Sequence, residues 1–245
     1  MRSRIRSLIS IIRLAGLAIA GLALWGFATL AKEVLEKETY AFDTSILLTL
    51  KELHTPLRDR IMIGFTFLGE PNLLLALCVS LVIILWTQKH RSEATTIALA
   101  GVGAVGLNLV LKKVFARARP QLWERAVDVR FYSFPSGHAM VSMVIYGLLG
   151  YFLGSRFPKQ RWWIYILTIL LVAVIGLSRL YLGVHWPTDI IAGYTAGLVW
   201  LIACIMSLEV WKQSRSSFPE SQEEFLSPNA SPEMTDEQSP ITHNK

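Results

Sequence analysis

The sequence predicts an all-α, polytopic membrane protein with six transmembrane helices. Of its 245 residues, 53% are hydrophobic, the mean hydropathy is +0.44, and apolar runs approaching the roughly 20 residues that cross a bilayer recur along the chain. Lipid cannot hydrogen-bond the backbone, so only helices and closed barrels span it. The runs are continuous rather than alternating, which favours helices over strands.

Six apolar runs mark the expected spans. They are Leu8–Ala31, Asn72–Trp86, Ala94–Val114, Ala139–Gly154, Trp162–Leu182 and Thr188–Leu208. The first run is long and has no clear cleavage site, so we expect an uncleaved anchor and one transmembrane domain over residues 1–213. Residues 214–245 are rich in Ser, Pro, Glu, Gln and Asn, and we expect them to form a disordered cytoplasmic tail.

Basic residues cluster at four places that an even number of spans puts on one side of the membrane. The clusters lie before the first span, at residues 88–91 and 155–161, and after the sixth span. Cytoplasmic segments carry an excess of Lys and Arg, so we expect a multi-pass protein of the plasma (inner) membrane with both termini in the cytoplasm. The segment Lys32–Arg60 is then on the outer side. We see no nucleic-acid-binding pattern, and the oligomeric state stays open.

The end of the third predicted span carries the first group of charged residues. Lys112 and Arg119 are seven positions apart, which places them on one face of a helix that Pro120 then ends. Lys113 and Arg117 lie on another face, and we assign them to snorkelling at the membrane surface. Snorkelling is also the alternative for Lys112 and Arg119 taken alone.

A second polar group, Pro135-Ser136-Gly137-His138, precedes the fourth span. Pro135 can precede a helix, and Ser136 is a typical N-cap residue. Gly137 lets the backbone approach a ligand, and the unpaired N–H groups of a helix start attract anions. Taken alone, His138 is equally well a polar residue at the membrane interface.

The third group joins the fifth and sixth spans. Arg179 ends the fifth helix, Gly183 turns the chain, and Pro187 suits the first position of the next helix. Asp189 follows His185 by four residues. A carboxylate on one ring nitrogen fixes the tautomer and leaves the other lone pair free, as in catalytic triads. The alternative is that Asp189 only caps the helix.

Together these groups bring two histidines, one aspartate and three cations to one face of the membrane. Three cations in one place repel each other unless a multiply charged anion lies among them. A phosphate or diphosphate ester fits that requirement. We find no Asp/Glu cluster of the metal-ligand type near the motifs, so we expect no metal and no other cofactor.

The motifs resemble those of the type 2 phosphatidic acid phosphatase superfamily, in its membrane-embedded lipid phosphatase branch. The family pattern consists of Lys-x6-Arg-Pro, Pro-Ser-Gly-His and Ser-Arg-x5-His-x3-Asp. This chain matches all three in order between Lys112 and Asp189, and the resemblance extends over about residues 43–208.

The resemblance implies roles for individual residues. His185 would attack phosphorus and form a phosphohistidine, Asp189 would orient His185, and His138 would protonate the leaving group. The residues that would hold the phosphate oxygens are Lys112, Arg119, Ser136, Gly137 and Arg179.

The predicted function is that of a metal-independent phosphatase of lipid phosphates or lipid diphosphates at the extracytoplasmic membrane surface. Candidate substrates are undecaprenyl diphosphate, phosphatidylglycerophosphate and phosphatidate. A lipid phosphotransferase on the same fold is an alternative. A non-catalytic lipid transporter is disfavoured, because transport pathways usually place polar residues deep within the spans, and these spans lack them. Asn108 is the notable exception, and it lies close to the outer end of its span. Glu70 has a cap or kink as its simplest role and a position in a substrate groove as the alternative.

Overall fold

The computed structural model describes residues 2–123 and 131–216, which are helical apart from the segments that join the helices. The helices are α1 (Arg2–Leu35), α2 (Tyr40–Lys51), α3 (Pro56–Leu68), α4 (Pro71–Thr87), α5 (Arg91–Phe115), α6 (Gly137–Arg156), α7 (Arg161–Tyr181) and α8 (Pro187–Ser216). The all-α prediction is confirmed. Most of the predicted tail, from residue 217 onward, lies outside the described residues, and its boundary stays a prediction.

The described helices give five or six candidate membrane spans, where the sequence predicts six. Five helices are long and apolar enough to cross a bilayer alone, namely Arg13–Leu35 of α1 and the helices α5, α6, α7 and α8. The sixth candidate is a bent pair, because α3 and α4 pass the same test together and meet at an angle of 42°. The break falls at Gly69 and Glu70, which confirms a kink at Glu70.

Helix α2 and the first part of α3 lie in the stretch Lys32–Arg60, which the sequence predicts only as an outer segment. The side chain of Thr55 caps α3 by accepting a hydrogen bond from the Arg58 amide at 3.3 Å, and Pro56 occupies the first position. Both helices pack against α7. They escape prediction because each is short and carries charges, so neither forms a continuous apolar run.

The chain forms two compact units, Met1–Leu208 and Glu209–Lys245. In the first unit α6 packs against α5 and α7, and α4 packs against α5. A buried apolar cluster joins α4, α5, α6 and α8 through residues that include Leu74, Ala100 and Leu201. In the second unit the described residues are helical.

Helices α6 and α8 approach closely along two glycines one turn apart. A Cβ atom at Gly193 would lie 2.7 Å from the carbonyl oxygen of Ser136, and one at Gly197 would lie 2.8 Å from that of Met140. Helix pairs in lipid associate through such close packing of small residues. The approach brings the starts of both helices together, and the Ser136 amide donates to the carbonyl oxygen of Asp189 at 2.9 Å.

Helix α5 ends earlier than the sequence predicts. Ala116 adopts the left-handed conformation with φ of 43°, and its amide donates to the Lys112 carbonyl oxygen at 3.0 Å. Arg119 therefore lies beyond the helix, and the prediction that Lys112 and Arg119 share a helical face is wrong. Pro120 does not end the helix either. The left-handed residue turns the chain back and brings the two cations together by another path.

The short turns between helices define two ends of the bundle. Helices joined by short turns run antiparallel, so the turns after α4 and α6, Gln88–His90 and Phe157–Gln160, lie at one end. The opposite end comprises the last turns of α5 and α7 and the first turns of α6 and α8, and we call it the site face. The basic loops of the sequence and the site face are thus on opposite sides.

Candidate active site

The three predicted motifs meet at the site face. His185 lies in the turn between α7 and α8, where Gly183 reverses the chain with φ of 65°. The Nδ1 atom of His185 is 3.2 Å from Oδ2 of Asp189. Both side chains are buried, with 1% of His185 and none of Asp189 exposed. The predicted pairing of these two residues is present in the structure.

The tautomer of His185 follows from its second nitrogen. Nε2 is 3.1 Å from Nη1 of Arg119, and a guanidinium group can only donate hydrogen bonds. Nε2 therefore accepts, and Nδ1 carries the proton toward Asp189. In this tautomer Nε2 carries no proton, and its lone pair accepts the hydrogen bond from Arg119.

The charge state of His185 is set by its surroundings. Burial, followed by the positive charges of Arg119, Lys112 and Arg179, holds the pKa of His185 well below its usual value. An unperturbed histidine has a pKa of about 6.5. The imidazole is therefore neutral at physiological pH, and its lone pair is not occupied by a proton.

Two of the three predicted cations are held by backbone carbonyl groups. The Nζ atom of Lys112 donates to the carbonyl oxygen of Tyr132 at 2.5 Å. Arg119 donates from Nε to the Phe131 oxygen and from Nη1 to the Val184 oxygen, each at 2.7 Å. These bonds fix the positions of the charges without neutralising them, because a carbonyl group carries no net charge.

The third cation, Arg179, is 4% exposed and projects from the last turn of α7. Its Nη1 donates to the hydroxyl of Thr66 at 2.6 Å. Its Nε is buried and has no hydrogen-bond partner among the described residues. A buried donor without an acceptor is costly, so Arg179 is suited to an anion that enters the site.

His138 follows the first residue of α6, as the sequence predicts. Its Nε2 atom is buried, makes no hydrogen bond within the described part of the chain, and lies 3.3 Å from Oε2 of Glu70. Glu70 precedes α4 without capping it through its side chain. The break between α3 and α4 thus delivers a carboxylate to the second histidine, and Glu70 also lines the cavity described below.

The segment before α6 is held from two sides. Ser136 is its N-cap, as predicted, with a long contact of 3.5 Å from the Ala139 amide to its hydroxyl. Asn108 of α5 donates to the carbonyl oxygen of Pro135 at 3.2 Å. Gly137 lines the cavity, whereas Ser136 is fully buried and does not. The predicted contact of Ser136 with phosphate stays a prediction.

Arg117 is the residue that the sequence analysis misassigned. Its side chain is 12% exposed and forms ion pairs with Asp189 at 2.7 Å and with Asp43 at 2.6 Å. The assignment to snorkelling at the membrane surface is therefore wrong for Arg117, while Lys113 is exposed as expected. The partner Asp43 lies 74 positions earlier in the chain, and no local pattern links the two.

A cavity of about 760 Å³ extends from these polar groups along α4, α5 and α6, where several of its apolar lining residues are exposed. Its polar end contains Lys112, Arg119, His138, Arg179 and His185. The rest is lined by apolar side chains of α4, α5 and α6, among them Leu75, Val79, Ile83, Val102, Val105 and Val141. The site can therefore bind an anion that carries a long apolar chain, with a neutral imidazole beside the anion.

Comparison with known proteins agrees with this chemistry. The family model described as the PAP2 superfamily matches residues 93–213. The chain is 32% identical over 150 residues to phosphatidylglycerophosphatase B of Bacillus subtilis, which covers 60% of this chain and 73% of that protein. It is 36% identical over 123 residues to an undecaprenyl-diphosphatase of Sulfolobus acidocaldarius, which covers 47% of this chain and 55% of that protein.

A solved structure shares the fold. The crystal structure of a transmembrane PAP2 type phosphatidylglycerolphosphate phosphatase from Bacillus subtilis matches with a TM-score of 0.73 at 26% sequence identity. The match covers 81% of this chain and 98% of that chain.

Proposed function

The chain belongs to the PAP2 superfamily, and we propose that it hydrolyses a lipid phosphate or lipid diphosphate through a covalent phosphohistidine. One observation carries the proposal. The neutral, buried His185 lies beside three cations at the polar end of a cavity whose remaining walls are apolar. A phosphate headgroup would occupy the polar end and its hydrocarbon tail the apolar part.

The first proposed step is attack on phosphorus. The Nε2 lone pair of His185 forms a bond to phosphorus while the bond from phosphorus to the leaving oxygen breaks. The leaving oxygen takes a proton from His138, and the Nδ1 proton of His185 remains on its hydrogen bond to Asp189. In the second step water attacks phosphorus while the bond from phosphorus to Nε2 of His185 breaks and its electron pair returns to Nε2. His138 accepts a proton from that water, and inorganic phosphate leaves.

The cations stabilise the charge that develops on the phosphoryl oxygens. Phosphoryl transfer depends mainly on positioning and on such electrostatic stabilisation. We assign this role to Lys112, Arg119 and Arg179, together with the backbone N–H of Gly137. They supply positive charge of the kind that a metal ion supplies elsewhere, so we propose no requirement for a metal or another cofactor.

Arg119 has a second role in the proposal. Its Nη1 donates to Nε2 of His185, the proposed attacking nitrogen. A phosphoryl oxygen that accepts this hydrogen bond would free the lone pair at the moment when the substrate is in place. The nucleophile would thus become available only in the presence of phosphate.

The proposed substrates are long-chain lipids. Support comes from the apolar walls of the cavity and from relatives named as a phosphatidylglycerophosphatase and an undecaprenyl-diphosphatase. Phosphatidylglycerophosphate, undecaprenyl diphosphate and phosphatidate are therefore the candidates. A lipid phosphotransferase would use the same residues and differs in passing the phosphate to an alcohol instead of water.

A panel of lipid substrates tests this function. We expect purified protein in detergent to release inorganic phosphate from at least one of the three candidates, and to act poorly on glycerol phosphate, which lacks tails.

The metal-free mechanism is tested with a chelator and an inhibitor. Activity should persist in EDTA and should be inhibited by orthovanadate. Loss of activity in EDTA with recovery in magnesium would contradict the metal-free mechanism, and transfer of phosphate to an added alcohol without hydrolysis would favour the phosphotransferase.

A leaving-group comparison tests the role of His138. In a His138→Ala variant, the first-turnover release of the leaving group from a lipid monoester should slow steeply, because its alkoxide needs a proton. The first-turnover release of nitrophenolate from nitrophenyl phosphate should slow much less, because nitrophenolate leaves without protonation. Hydrolysis of the phosphohistidine, which lacks its base in this variant, slows for both substrates and is not part of this comparison. Equal losses for both substrates would show that His138 only binds phosphate.

We further propose that the site face is extracytoplasmic in the plasma (inner) membrane and that both termini are cytoplasmic. The proposal rests on the excess of basic residues in the loops at the opposite end.

Cysteine labelling tests this orientation. Cys78 and Cys204 are first replaced by Ser, and a single cysteine is then placed at Glu52 or at Lys159, both of which are exposed positions. An impermeant thiol reagent added to intact cells should label the cysteine at position 52 and not that at position 159. The reverse pattern, or labelling of both, would contradict the orientation.

A further inference from the structure

We propose that Asp43 and Arg117 are positioning residues, which hold Asp189 and through it the nucleophilic His185 in the attacking orientation. The inference rests on the proposed phosphohistidine mechanism. Neither residue belongs to the three motifs of the sequence, and neither lines the cavity. They would act through Asp189 and without contacting phosphate, because Arg117 binds Asp189 and Asp43 binds Arg117.

Arg117 joins two carboxylates through its two terminal nitrogens. Nη1 donates to Oδ1 of Asp189 at 2.7 Å, and Nη2 donates to Oδ2 of Asp43 at 2.6 Å. The same nitrogens also donate to the hydroxyls of Thr188 at 2.7 Å and Thr39 at 3.2 Å. The planar guanidinium group therefore has a fixed orientation with respect to four acceptors on α2 and α8 and in the segment before α2.

Asp43 fixes Arg117 and the start of α8 at the same time. Its side chain has no exposed surface. Oδ1 accepts from the Thr188 amide at 3.0 Å, and Oδ2 accepts from the Thr188 hydroxyl at 2.7 Å. Thr188 is the second residue of α8, so Asp43 on α2 provides an acceptor for one of the unpaired N–H groups of that helix.

The two oxygens of Asp189 have separate partners. Oδ2 faces the histidine and also accepts from the Trp186 amide at 2.9 Å, whereas Oδ1 is bound by Arg117. Without Arg117, a fully buried oxygen would lose its charged partner, and the carboxylate could rotate away from the imidazole. The orientation of His185 thus depends on a residue that it does not contact.

Charge balance gives Asp43 a distinct purpose. A single guanidinium group is shared by two buried carboxylates, so the group of three carries one net negative charge. That negative charge stabilises the positive charge on the imidazole ring when the phosphohistidine forms. Asp43 compensates Arg117 and so preserves the effect of Asp189 on His185.

Substitutions that change charge with little change in shape test the inference. The variants are Asp43→Asn, Arg117→Gln and Arg117→Lys, with Lys113→Gln as a matched control, because Lys113 is an exposed cation four residues from Arg117 on the chain. Each protein is purified in detergent, and kcat, KM and the acid limb of the pH profile of kcat/KM are measured on one lipid substrate. The charged and titratable groups nearest His185 stay unchanged, namely Lys112, Arg119, His138, Arg179 and Asp189. Glu70, which lies beside His138, is also unchanged.

We expect kcat to fall about 10- to 100-fold in the three variants, by analogy with the loss of hydrogen-bond partners of metal-binding histidines. KM should stay within about twofold, because the phosphate-binding cations are intact. Asn at 43 removes a negative charge and disfavours protonated histidine, so the acid limb should move to lower pH. Gln at 117 removes a positive charge and should move it to higher pH, each by about one pH unit or less.

Arg117→Lys separates geometry from charge. Lysine keeps the positive charge but cannot bind two carboxylates with a planar fork, so kcat should fall while the acid limb stays in place. Lys113→Gln should match the wild type in every measurement. Shifts of the acid limb in the same direction for Asp43→Asn and Arg117→Gln, or unchanged kcat in both, would overturn the inference.

Two further outcomes are also decisive. If all three variants fail to fold while the control folds, the three residues serve folding and the inference is overturned. If the wild type releases no phosphate from any lipid, the proposed function fails first, and this failure is visible before any variant is compared.

Discussion

The rest of the site depends on the hydrogen bonds and the ion pair that hold Asp189, a fully buried carboxylate. Removing the partner of a buried charge costs about 3–5 kcal/mol, so the fold has to supply donors to both oxygens. One oxygen is bound by Arg117, and the other by His185 and the Trp186 amide. The interactions at the start of α8 therefore also set the tautomer and orientation of His185, the proposed nucleophile.

The location of the site follows from the cost of charge in lipid. A charge in the middle of a span is expensive, and here the charged residues of the site lie at the ends of α5 and α7, at the starts of α6 and α8, and in the adjoining segments. The cavity leads from these charges between apolar helices. In the proposed function, the headgroup of the lipid substrate binds at the charged end of the cavity and the hydrocarbon tail lies along the spans.

The sequence predicts the apolar spans, the N-cap at Ser136, the start of α8 at Pro187 and the pairing of His185 with Asp189, because each depends on composition or short spacing. It does not predict α2 and α3, whose short charged helices form no apolar run. It also misassigns Arg117, because the partners Asp43 and Asp189 lie 74 and 72 residues away. The turn at Ala116 is similarly invisible, since alanine rarely adopts a left-handed conformation and no residue type signals it.

The covalent intermediate provides the most direct test of the central claim, which is that His185 is the nucleophile. The protein is mixed with a lipid substrate labelled in its reacting phosphate, quenched during turnover under conditions that preserve phosphohistidine, digested and sequenced by mass spectrometry. We predict label on His185, no label in a His185→Ala variant, and accumulated label in His138→Ala with a nitrophenyl substrate, because water attack then lacks its base. Label on His138, or full activity of His185→Ala, would contradict the account.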